Sequence, residues 1–84
     1  MLAQSNKKMR KDTKLYKVLR YMYLNRDKKV TSKEIMESTG VDQPIPYMNR
    51  LSNRINKETI NGKNYYQMKK NEINYIGRKL AEAV

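Results

Sequence analysis

The chain contains no cysteine, no histidine, no phenylalanine and no tryptophan. The first absence excludes disulfides and thiolate metal sites. The second removes the commonest metal ligand and the side chain best suited to acid–base work near neutral pH. Together they argue against hydrolytic or redox catalysis, and the expectation is a protein that is not an enzyme and holds no metal or cofactor. Long apolar runs are missing too. No stretch approaches the ~18 apolar residues that would span a membrane, and Met1-Leu2-Ala3-Gln4-Ser5 lacks the apolar centre of a signal peptide. A soluble, cytoplasmic protein is expected.

Carboxylates are also scarce. Eight Asp and Glu stand against nineteen Lys and Arg, a net charge of +11 on 84 residues. So large an excess repels itself in a compact state, so it fits a polyanionic partner better than it serves stability. Phosphate backbones are the commonest such partner, although ribosomal proteins, membrane-surface peptides and basic adaptors share this balance. The length allows one domain with one core, burying somewhat over ~60% of the extended surface. With seven Tyr and six Met, the core margin is expected to be filled by these types, Tyr16, Tyr23 and Tyr75 among them.

Residues 1–9 are polar and basic without a sustained apolar period, and are expected to form a disordered arm preceding a single domain over 10–84. From about Met9 to Asn25, Leu15, Val18, Leu19 and Met22 recur at helical spacing and predict a first helix, stopped by Asn25-Arg26-Asp27. Val30, alone between Lys29 and Thr31, suits a very short strand. Thr31-Ser32-Lys33-Glu34 fits a capping box, so a second helix should start at Ser32, turn Ile35 and Met36 inward, and end at Ser38-Thr39-Gly40. Glu34 and Glu37 are then a cap and a solvated residue rather than a ligand pair. Asp42 is placed to cap a third helix from about Pro44 to Asn56, whose prolines 44 and 46 are tolerable only in its first turn. Ile45, Met48, Leu51 and Ile55 would form its buried side. Thr59-Ile60 and Tyr65-Tyr66-Gln67-Met68 flank Asn61-Gly62, the dipeptide best suited to a type I′ hairpin turn. Ile73, Ile76, Leu80 and Val84 predict a final helix from about Glu72.

The expected order is helix, short strand, helix, turn, helix, hairpin, helix: mostly α with a small β-hairpin wing. This order resembles the winged helix-turn-helix DNA-binding superfamily, in particular small prokaryotic or phage-type regulators. Val30-Thr31-Ser32-Lys33-Glu34-Ile35 looks like its strand and second-helix start. Ser38-Thr39-Gly40-Val41-Asp42-Gln43-Pro44 is similar to its turn, and Tyr65-Tyr66-Gln67-Met68 resembles the returning wing strand. Ile76-Gly77-Arg78-Lys79-Leu80 is similar to the opening of the helix that often follows the wing. The resemblance covers roughly residues 10–84. It implies sequence-directed binding of double-stranded DNA by a nucleoid-associated transcriptional regulator or DNA-processing accessory factor. The third helix would read the major groove and the wing would touch the backbone.

The residues themselves offer suitable chemistry. Opposite its buried side the third helix would present Asn49, Arg50, Asn53 and Lys57, flanked by Tyr47 and Arg54, with Gln43 just ahead of it. Arg pairs with guanine O6 and N7, Asn with adenine N6 and N7, and Lys neutralises phosphate. Lys63 and Asn64 at the hairpin tip are the candidate wing contacts. A solvated basic helix would show the same face, and Asn-Gly-Lys-Asn is ordinary turn chemistry. Two rival readings therefore stay open: a winged-helix interaction module docking on an acidic protein, and an RNA-binding protein stacking bases on Tyr21, Tyr47 or Tyr65. The expected partner is duplex DNA, with a homodimer left open and neither a membrane nor a small-molecule effector called for.

Overall fold

A computed structural model describes residues 8–84. Residues 1–7, most of the expected arm, lie outside the described residues. Helix α1 runs Lys14–Leu24 and buries Val18, Leu19 and Met22. It starts five residues later than the apolar period places it because Thr13 is its cap. The Thr13 hydroxyl accepts the Tyr16 N–H at 3.2 Å, which ends the turn through Lys11 and Asp12. At the other end the Asn25 side-chain amide donates to the Tyr21 carbonyl at 2.9 Å. Met9 packs on the core, and its carbonyl accepts the Val84 N–H at 2.9 Å.

Helix α2, Ser32–Thr39, has the expected capping box. The Thr31 N–H donates to Glu34 Oε1 at 2.9 Å and the Glu34 N–H to Thr31 Oγ1 at 3.2 Å. Gly40 closes the helix at φ 77°, a left-handed conformation that a Cβ would strain. Ile35 is the only residue of α2 that is buried. Met36, expected inward, is 37% exposed.

Helix α3 corrects the expectation most. It spans only Ile45–Arg50, not Pro44 to Asn56. The buried spacing Pro44, Met48, Leu51, Ile55 does continue a helical period, but the chain leaves the helix at Leu51. The Leu51 N–H is shared between the Tyr47 and Met48 carbonyls, and the Arg54 N–H bonds Leu51, a tightening into i→i−3 turns. Ser52 and Asn53, which favour turns over helix interiors, sit where this happens. Ile55 reaches the core as the first residue of a strand. Asp42 does not cap the helix, and Pro44 occupies the cap position with no side-chain bond. Ile45 faces outward, 38% exposed. Pro46 lies in the first turn as expected.

Strands β1 (Ile55–Ile60) and β2 (Lys63–Met68) pair antiparallel, Ile55 opposite Met68 and Ile60 opposite Lys63. The hairpin is thus longer than its predicted strands. Asn61 (φ 52°) and Gly62 (φ 77°) are both left-handed, as a type I′ turn requires. The separate strand expected between the first two helices is reduced to one bridge, in which Val30 and Tyr66 exchange backbone bonds of 2.8 and 2.7 Å. The observed order is three helices, a hairpin, a 3₁₀ turn at Lys70–Glu72 and helix α4 (Ile73–Ala81). It is compatible with a winged-helix topology. No helix among the described residues is long and apolar enough to cross a membrane.

Helix α4 buries Ile76 and Leu80 and packs against α1. Their approach runs over Gly77. A Cβ there would lie 2.8 Å from Tyr23 Oη and 3.1 Å from two ring carbons, while Arg26 covers the Tyr23 ring at 4.7 Å. Gly77→Ala should therefore lower stability by about 1 kcal/mol, although alanine is the better helix former. In a Tyr23→Ala background the same change should stabilise by about 0.5–1 kcal/mol. Thermal unfolding of the four proteins in this cycle measures both signs. A stabilising Gly77→Ala in the parent would show that the close approach does not constrain the helix pair.

Candidate nucleic-acid interface

Helix α3 turns one side to the core and the other to solvent. Pro44, Met48 and Leu51 are buried. Ile45 and Asn49 form one exposed row, four residues apart, and Pro46 and Arg50 form the next. The exposed face thus has an apolar first turn and a polar second turn. Asn49 offers the paired donor and acceptor that match adenine, and Arg50 the fork that matches guanine or phosphate. Half-buried Tyr47 sits beside them, with the Arg50 guanidinium 5.9 Å from its ring centroid.

This face continues onto the start of α1. Lys8, Arg10, Lys14 and Arg50 surround a hollow of about 560 Å³ floored by Met9, Leu15 and Tyr47. A second hollow of about 260 Å³ brings Lys14 and Tyr47 together with Gln43 and Pro46. Gln43 therefore bridges the tip of α3 and the first helix. Two carboxylates share the neighbourhood: Asp12, held by Arg10 at 2.9 Å, and Asp42 on the rim of the smaller hollow. Sequence reasoning missed Lys14 as part of this surface. The available signal was its spacing, since Lys14 lies four positions before fully buried Val18 and so points toward the rest of the domain.

The structure brings together Gln43, Tyr47, Asn49 and Arg50, and separates the remaining candidates. Asn53 is exposed in the turns after α3, not on the helix. Arg54 is half-buried and committed elsewhere. It forms an ion pair with Glu72 and lies 4.4 Å over the Tyr75 ring, fastening the root of the hairpin to α4. Tyr75, expected at the core margin, is 40% exposed beneath that guanidinium. Lys57 belongs to β1, opposite Tyr66. Lys63 is exposed at the first position of β2, and Asn64 accepts a 2.6 Å bond from the Thr59 hydroxyl. On the hairpin face that carries Lys63, Glu58 pairs with Lys29, and the Gln67 side-chain amide donates to the Arg26 carbonyl at 3.0 Å. These contacts hold the wing against the α1–α2 connection.

Comparison with protein-family models, with curated proteins and with solved structures gave no match to this chain.

Proposed function

We propose that the protein binds double-stranded DNA in a sequence-directed manner, as a transcriptional regulator or a DNA-processing accessory factor. Its α3 reads the major groove and Lys63 of the wing touches the backbone. The observation that carries this reading is the exposed face of α3. Asn49 is exposed on it, Arg50 shares a hollow with the cations of the α1 start, and Gln43 shares one with Lys14 and Tyr47, after the Gly40 turn of a topology compatible with winged helices. Asn and Arg side chains exposed on a helix in the major groove can pair with base edges, and the flanking Lys8 and Lys14 supply phosphate contacts. The tyrosines give the RNA rival less to stand on, because Tyr21, Tyr47 and Tyr65 are each half-buried. The protein-docking rival draws on exposed Met36 and Ile45.

Selection of bound sequences from a random duplex pool tests the reading, and an enriched palindrome would add functional dimerisation. On a selected site, Asn49→Ala or Arg50→Ala should cost roughly 1–3 kcal/mol and relax base preference at one position. Lys63→Ala should weaken specific and random duplexes about equally. Equal losses on both duplexes for all three variants would show that α3 is not the reading element.

A further inference from the structure

We infer that Ile45 recognises the 5-methyl group of thymine, which makes the tip of α3 selective for A·T pairs. The inference rests on the DNA-binding reading and specifies what its first helical turn contacts.

The tip is built for apolar contact. Ile45 and Met36 are 38% and 37% exposed and share a shallow hollow of about 500 Å³ with Pro44 and Pro46. Its helix start offers few backbone donors, and Ser32, Lys33, Asp42 and Gln43 supply the polar part of the lining. Pro44 and Pro46 have no N–H to offer a phosphate, the Tyr47 N–H is taken by the Pro44 carbonyl at 3.0 Å, and no side chain caps the helix. Thymine is the base distinguished in the major groove by an apolar group, and aliphatic side chains read it by contact.

The DNA-binding reading supplies the occupant, and cations on the adjoining surface suit its phosphates. Lys33 and Asp42 both lie on the rim of the hollow, and Lys14 and Arg50 line the hollows beside it, so cations able to hold phosphate flank the apolar spot. Spacing is also suitable. Ile45 and Asn49 lie on one row about 6 Å apart along the helix, within two base steps, so a methyl contact and an adenine pair can be made together.

Fluorescence anisotropy with alternating poly(dA–dT) and poly(dA–dU) duplexes at low salt isolates the methyl group. The parent protein should bind the thymine duplex about three- to fivefold more tightly per contacted methyl. Ile45→Ala should bind both duplexes alike, and its circular dichroism and melting curve establish that it is folded. Any difference in duplex stiffness acts on both proteins and drops out of the comparison. Equal binding of the two duplexes by the parent, or a preference that survives in Ile45→Ala, overturns this inference and leaves the DNA-binding reading in place. Binding to neither duplex overturns both this inference and the DNA-binding reading.

Discussion

Affinity for duplex DNA is expected to fall about 500-fold as monovalent salt rises from about 50 to about 200 mM. That figure corresponds to on the order of 5 phosphate contacts and a log–log slope of about −4 to −5. Its source is the distribution of charge. Arg10, Lys29 and Arg54 already face carboxylates, whereas Lys8, Lys14, Lys33, Arg50 and Lys63 are exposed cations able to displace condensed counterions. Gel shift or anisotropy over a salt series gives the slope directly. Lys14→Ala should reduce its magnitude by about 0.9. A slope near zero, or no binding to any duplex at low salt, would reject DNA as the partner and favour docking on an acidic protein.

The second large effect concerns α2. Its hold on the core is a single side chain, Ile35, which is fully buried. Ile35→Ala leaves a cavity and should cost about 3 kcal/mol, a large fraction of the ~5–15 kcal/mol typical of a domain. Thermal unfolding should show a melting temperature lower by about 12–24 °C. Because α2 leads through Gly40 into α3, the same variant should also lose DNA affinity below its melting point. A loss under about 1 kcal/mol would mean that the capping box at Thr31 and Glu34, rather than core packing, secures the helix.

Local chemistry was legible in the chain and long-range geometry was not. The capping box, the Gly40 stop and the Asn61-Gly62 turn each depend on a few adjacent residues, and each stands where the sequence places it. The third helix reads too long from the sequence because Ile45, Met48, Leu51 and Ile55 continue one apolar period across two kinds of structure. Nothing in that period marks the change at Leu51. Its rotation is misread as well: whether Pro44 or Ile45 faces the core depends on where α1 and α2 lie, not on hydrophobicity. Of the candidate site, the segment Gln43–Arg50 was readable as a cluster. The diversion of Arg54 was not, since its partner Glu72 lies eighteen positions away, beyond the whole hairpin.

The Val30–Tyr66 bridge also orders events in time. The four helices and the hairpin are local structures that close within microseconds, whereas this bridge joins residues about 36 positions apart, at a loop-closure entropy of about 3 kcal/mol. Docking of the hairpin onto Val30 is therefore expected to follow hairpin formation, and the Met9–Val84 bond, which joins residues 75 positions apart, to close later still. Interactions made on docking, such as Gln67 to Arg26 and Lys29 to Glu58, are expected to affect how fast the native state opens more than how fast it forms.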